Sequence, residues 1–314
     1  MRTLICEISG RRPGTSKQRP TEKQIFSRDH VIISNNSDGY ITDWDIINVP
    51  DDFREDYEKK YRMTDTGAWL APMNRSYAIK YAKEHGYDVC VQLDDNITII
   101  RGFCRTVQDG ITKEYKTQND KHIADEIVSL METVIECSNA GQVGLGMNCH
   151  PPLWKMFGER YNYSFFAVDL HRCPDYFQGD FEDDIEYRLK LKQLGIPTIM
   201  ILPIVYGKTG QKSSKDESGN RAFYTEVGLK RGEHMRKLYG DIYSCGTADK
   251  THGTNGTPGK CFKHKLKPFQ IGATITNYDE IRRAFLGFFE KRASPIVEGC
   301  RITEYGKTEE NMDG

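Results

Sequence analysis

Apolar residues along this chain fall into two patterns: short unbroken runs, and residues that recur every three or four positions. Runs at residues 4–8, 31–34, 44–49, 87–93, 97–100, 143–147, 165–170 and 196–205 predict strands, and those without polar alternation fit strands covered on both faces. Helical spacing predicts a helix over 72–83, opened by Pro72, with Ala78, Ile79 and Ala82 on one side and Gly86 as its stop. A second helix follows Asp120 as its cap, carries Ile123, Ile127, Leu130, Met131 and Val134 in register, and stops near residues 139–141. Further helices are expected over about 180–194, 225–239 and 279–292, and the densely charged stretch 51–62 reads as an exposed helix or lid. A polar connector follows residue 100, residues 206–221 and 245–267 read as loops, and the polar tail after 300 is expected to be disordered. Helix followed by apolar strand makes βαβ units, so the expected fold is α/β: a mixed, mainly parallel sheet flanked by helices, with a loop-rich C-terminal extension.

Composition narrows the class. The chain has 314 residues, 38% hydrophobic and 28% charged, which suits a folded domain with a sizeable core. No apolar run is long enough to span a membrane and the N-terminus enters a strand pattern at once, so a cytoplasmic protein without membrane contact is expected. The formal charge of -1 excludes a globally basic nucleic-acid binder but leaves room for a local basic face. Nine cysteines without a C-x-x-C pair fit reduced, mostly buried thiols.

Candidate chemistry lies where apolar runs end in polar side chains. The run over 87–93 stops at Asp94-Asp95-Asn96, three adjacent oxygen-bearing residues at the edge where open α/β sheets bind ligands. Such oxygens suit Mg²⁺ or Mn²⁺ holding a phosphate-bearing substrate, and the same residue types also serve turns and helix caps. A second cluster places five carboxylates, Asp180, Glu182, Asp183, Asp184 and Glu186, within seven positions at a helix start. Complementing the helix dipole accounts for one or two of them, and like charges at this density repel. The loop from Ser9 through Arg11, Arg12 and Arg19 offers guanidinium groups to a phosphate or a base, or is a solvated basic loop. Acids at one strand end with a metal can clamp a diphosphate leaving group, and a carboxylate of the second cluster can deprotonate an attacking hydroxyl.

These motifs resemble glycosyltransferases of the GT-A, Rossmann-like fold. Leu93-Asp94-Asp95-Asn96 is similar to their D-x-D metal motif, with Asn96 where an aspartate is usual. Asp183-Asp184-Ile185-Glu186-Tyr187-Arg188-Leu189-Lys190-Leu191 is similar to the E-D-x-D-x-x-L-R-L pattern of inverting members, with Asp183 in place of the usual glutamate. The resemblance implies Asp184 as catalytic base beside Asp183, and Mn²⁺ or Mg²⁺ on Asp94 and Asn96 with a late histidine, His234 or His264. The layout from Ser9-Gly10-Arg11-Arg12-Pro13 through Asn74-Arg75 resembles the TET/JBP-associated glycosyltransferases, which put sugars on hydroxymethylated pyrimidines in DNA. That implies a UDP-sugar donor, UDP-glucose, with Ser9, Arg11, Arg75, Asp94 and Asp95 around it. It also implies a transferase domain over about 1–240, its donor half over about 1–100 and its acceptor half over about 101–240, with 241–300 as a basic extension.

DNA as acceptor agrees with cations late in the chain: Lys208, Lys212, Lys215, Arg221, Lys230, Arg231, Arg236, Lys237 and the cluster from Lys260 to Lys267. A base flipped from a duplex needs a stacking partner, for which Trp154 and Tyr176 are candidates, although Trp154 also suits plain packing. Cys245, His252, Cys261 and His264 are a further possible zinc set with no recognised spacing. Two alternatives stay open: a saccharide, protein or small-molecule acceptor, and a catalytically silent DNA-binding protein of the same fold.

Overall fold

The structure, a computed structural model, describes residues 1–10, 12–14, 19–62, 69–108, 111–116, 120–147, 156–159, 161–175, 177, 179, 183–208, 228–250, 259–267 and 274–292. Of residues 103–108, 111–116, 228–231, 246–250, 259–264, 266 and 290 the backbone alone is described. Among the described residues ten strands make the central sheet: β1 (Thr3–Ser9), β2 (Asp29–Ser34), β3 (Asp45–Asn48), β4 (Val89–Asp94), β5 (Ile97–Gln108), β6 (Ile111–Lys116), β7 (Gln142–Met147), β8 (Phe157–Gly158), β9 (Phe165–Asp169) and β10 (Thr198–Lys208). Their order is β3-β2-β1-β4-β9-β7-β10-β5-β6, with β8 also on β10. β1 to β4, β7 and β10 run the same way, and β9 is wedged antiparallel between β4 and β7. The expected mixed α/β architecture, with most strands parallel, is therefore observed.

Helices cover both faces of this sheet. On one face lie α1 (Asp51–Tyr61) and α2 (Leu70–Glu84), on the other α3 (Ile123–Glu136) and α6 (Tyr278–Arg292). The residues predicted to line α3, Ile123, Ile127, Leu130, Met131 and Val134, are all buried in the core it forms with β7, β9 and the phenylalanines of α6. Gly86 ends α2 with a φ of +71°, a conformation that costs glycine nothing and other residues about 1 kcal/mol or more. A third, smaller core joins α4 (Asp183–Gln193) to α5 (Gly228–Tyr239) and to β11 (Tyr243–Lys250), through Ile185, Leu189, Met235, Tyr239 and Tyr243. Among the described residues no helix is long and apolar enough to cross a membrane.

Several local expectations are corrected. The charged stretch after residue 50 is docked rather than exposed: Phe53 and Tyr57 of α1 are buried against α2, and the Tyr57 hydroxyl donates to the carbonyls of Phe177 and Gly179, each at 3.0 Å. One charged face hid a two-residue apolar stripe. The polar connector after residue 100 is an antiparallel hairpin of β5 and β6, and the stretch from 245 holds another, of β11 and β12 (Gly259–Leu266). Backbone pairing between two strands satisfies their polar groups without an apolar run to advertise it. α2 begins at Leu70 rather than Pro72, and α3 begins after His122, with Asp120 instead accepting the His122 N–H at 2.7 Å. Of the zinc set, His252 lies outside the described residues, and Cys245 pairs across the hairpin with His264.

Candidate functional site

Parity along β4 decides which face each side chain meets. Cys90 belongs to the core under α2, and Gln92 and Asp94 follow it at two-residue steps on that same face. Arg75, in the second turn of α2, therefore lies over Gln92 and Asp94: Gln92 Nε2 donates to the Arg75 carbonyl at 2.9 Å, and Arg75 Nη2 donates to Asp94 Oδ1 at 2.6 Å. Asp95 and Asn96 form the turn into β5, so the turn and the acidic cluster are the same residues. Thr21 pins that turn, donating its hydroxyl to the Asp94 carbonyl at 2.5 Å and its N–H to the Asp95 carbonyl at 3.3 Å.

Asp94 is held between two cations. Arg75 takes Oδ1, and Lys208, the last residue of β10, takes Oδ2. Burial alone would push this carboxyl up, but the Lys208 ammonium and the Arg75 guanidinium together hold it well below the usual carboxylate range. Lys208 was expected among DNA-contacting cations of a basic loop; it belongs to the sheet edge instead.

Asp95, next in sequence, goes the other way. It is buried, its Oδ2 accepts the Ser9 hydroxyl at 2.8 Å, and Arg12 Nε lies 3.2 Å away. Burial still wins over both partners, and the carboxyl is pushed up to about 6. The Ser9 hydroxyl also meets the Tyr40 hydroxyl at 2.8 Å. Behind them, fully buried Glu7 lies 3.9 Å from Arg19 Nε. Arg19 is ion-paired with Glu22, donates to the Arg12 and Ile41 carbonyls and stacks over the Tyr40 ring, so it fixes both residues that reach the Ser9–Asp95 pair. Burial, then the charges of Asp95 and Glu22, push Glu7 well above its ordinary value, more than Arg19 lowers it. Gly10 permits the close passage here: a Cβ on it would meet the Asn35 side chain, which accepts from Asn74 at 3.0 Å, while Asn74 also donates to the Ser9 carbonyl at 2.9 Å.

The second acid cluster arrives through Arg75. Its Nε lies 3.2 Å from Asp183 Oδ2 in the first turn of α4, so one buried guanidinium bridges the end of β4 and the start of α4. Burial would lower the Arg75 pKa, but Asp94, Asp183 and Asp184 raise it, which places all three charges within electrostatic reach of one group. Asp184, half-buried, accepts the Ile185 N–H at 2.8 Å. Direct contacts thus join Arg75 to Asp94 and Asp183 and, one residue along the chain, Ser9 to Asp95, with Asn96 buried in the adjoining turn. His234 is half-buried on α5, next to Met235, which packs with Ile185 and Leu189 of α4. Arg11, Trp154 and Tyr176 lie outside the described residues.

Sequence reasoning missed Glu7 and Tyr40, and it named Arg19 and Lys208 only as ligand-facing cations, without their buried or sheet-edge carboxylate partners. Glu7 had a signal, an acid inside an otherwise apolar run; Lys208 had none, being 114 positions from its partner.

Mn²⁺ or Mg²⁺ on Asp94 and Asn96 would need hard oxygens with lone pairs to spare. Asp94 gives both oxygens to cations, and Asp95 Oδ2 is held by Ser9 and Arg12. Among the described residues no three His, Cys, Asp or Glu side chains are grouped as a ligand set. As arranged, Asp94, with a cation already on each oxygen, does not fit as a ligand of a divalent ion. What they offer is a sheet edge with buried carboxylates and two cations that reach solvent, Lys208 and Arg12, a quarter and nearly half exposed. No protein-family model and no curated protein matches this chain.

Proposed function

We propose that the chain is an inverting glycosyltransferase of the GT-A fold that moves glucose from UDP-glucose to the hydroxyl of a hydroxymethylpyrimidine in DNA. The observation that supports this reading is the Arg75 bridge, Asp94 Oδ1 at 2.6 Å and Asp183 Oδ2 at 3.2 Å, which joins the end of β4, taken here as the donor side, to the start of α4, taken here as the base side. In this reading Asp184 takes the proton of the acceptor hydroxyl as its oxygen bonds to the anomeric carbon. The bond from that carbon to the diphosphate breaks, and the electron pair leaves with UDP. Lys208 and Arg12 meet the charge that develops on the leaving group, while Arg75 holds Asp94 in place; fixed donors serve best at a water-poor edge. Exposed Arg236, Lys237, Lys265 and Lys267 support a polyanionic acceptor.

The test is incubation of hydroxymethylcytosine-containing duplex DNA with labelled UDP-glucose. Label on the DNA supports the reading, and Asp184→Asn should lower its rate by about 10²–10⁴-fold while UDP binding stays as it is. Label found only on added oligosaccharide or protein would move the acceptor to those classes. Absence of UDP release from any sugar nucleotide would leave a silent protein of this fold.

A further inference from the structure

A metal-using transferase presents free carboxylate oxygens to a divalent ion, which then bridges to the diphosphate. Here the carboxylate at the end of β4 already carries a cation on each oxygen, and the two differ in kind. Arg75 is buried, shared with Asp183 and stacked near the Phe166 ring, so it is part of the scaffold. Lys208 ends its strand, is a quarter exposed, and is paired with Asp94. A lysine ammonium is a compact charge with three donors on a flexible stem, so it can keep Asp94 and offer another N–H to an incoming phosphate oxygen.

We infer that Lys208 occupies the place a divalent ion would take on Asp94, and that it is the cation that meets the diphosphate, so that donor binding needs no metal. The inference rests on the nucleotide-sugar reading only for the identity of the anion; the closed carboxylate stands by itself. As the bond to the anomeric carbon breaks, the electron pair passes to the diphosphate oxygen, and a Lys208 N–H hydrogen-bonds to the phosphate without giving up its proton. Asp94 keeps the ammonium in place, and Arg75 keeps Asp94 ionised.

Two measurements on the full chain decide it: titration calorimetry of UDP in EDTA and in Mn²⁺, and the electron paramagnetic resonance signal of Mn²⁺ mixed with the chain alone. The expected results are UDP binding in EDTA that Mn²⁺ alters by less than about threefold, and a Mn²⁺ signal that stays that of the free ion. Lys208→Met should weaken UDP binding in EDTA by at least about tenfold, and Lys208→Arg should keep most of it. Both variants leave Asp94 paired with Arg75, and a thermal melt checks that they fold. Capture of Mn²⁺ by the chain, released by Asp94→Asn, would overturn the inference, as would UDP binding that requires Mn²⁺. Failure to bind UDP in either buffer counts against the nucleotide-sugar reading, and the Mn²⁺ signal still decides the cation site: a free-ion signal upholds it and a captured ion overturns it.

Discussion

At the carboxyl edge of the sheet the carboxylates of Asp94, Asp95 and Asp183 are largely buried against Arg75, Lys208 and Arg12, whereas at the amino edge Asp29 pairs with Arg2 and Asp88 with His171 in the open. The residue types are the same and the geometry is comparable: His171 Nε2 lies 2.9 Å from Asp88 Oδ1, much as Arg75 lies 2.6 Å from Asp94. Burial separates them. Asp88 is held modestly low by the Arg2 N–H and then by His171, whereas the neighbours Asp94 and Asp95 are driven in opposite directions. An exposed pair is screened by water and contributes little, while a buried charge is costly unless matched, and its energy then depends on the partner. A dense pattern of matched and mismatched buried charge sets the carboxyl edge apart as the candidate functional site.

The largest break in this contrast comes from Arg75. Replacing it by methionine keeps the bulk but strands Asp94 opposite Lys208 alone and removes the cation beside Asp183. We expect a loss of about 3–5 kcal/mol in a urea denaturation at neutral pH. A loss below 1 kcal/mol, the range of about 0–1 kcal/mol for exposed pairs, would show that the two edges do not differ in kind.

Asp95 sharpens the contrast through pH. Its folded value is raised from 3.8 to about 6, so the fold favours the protonated form. That contribution is complete below the unfolded value and is lost as pH rises through about 6, a swing of about 3 kcal/mol. Asp95→Asn mimics the neutral form and should be more stable than wild type at about pH 8 while nearly matching it at about pH 4. Asp94 has the opposite sign: its folded value is lowered, its contribution is present above 3.8, and it fades as pH falls further. A wild-type profile that rises between about pH 4 and 6 and is unchanged by Asp95→Asn would contradict the assignment.

How much of this was legible beforehand follows from what sequence can carry. The apolar runs and the α3 periodicity report burial of a whole face, so the sheet, its helices and the acids ending β4 were all readable. Direction is not encoded in an apolar run, so the reversed β9 was not, and hairpins rich in polar residues gave no signal at all. Asp183 and Asp184 could be named from their helix start, but their meeting with Asp94 depends on Arg75, whose reach requires the packing of α2 on β4. The split between Asp94 and Asp95 was beyond reach for the same reason, since adjacent residues differ only in the partners that distant segments bring.

Ser9→Ala should produce a smaller effect. It deletes the hydroxyl that donates to Asp95 and meets Tyr40, leaving Arg12 as the partner of Oδ2. A hydrogen bond to a charged group contributes about 2 kcal/mol, present here only when Asp95 is ionised. The variant should therefore lose stability at about pH 8 and little at about pH 4, and in the Asp95→Asn background that pH dependence should disappear, as a double-mutant cycle by denaturation would report.

The smallest effect tests the other edge. His171 is 72% exposed and meets Asp88 at 2.9 Å, a distance that on geometry alone would rank with the contacts around Asp95. Water supplies both groups with partners when the pair is broken, and the ring is held by nothing that its loss would leave buried. His171→Ala should change the unfolding free energy by no more than about 0.5 kcal/mol, and raised salt should shrink even that. If instead it costs as much as Ser9→Ala, contact distance rather than burial governs charge energetics in this fold, and the carboxyl edge would lose its claim to be different.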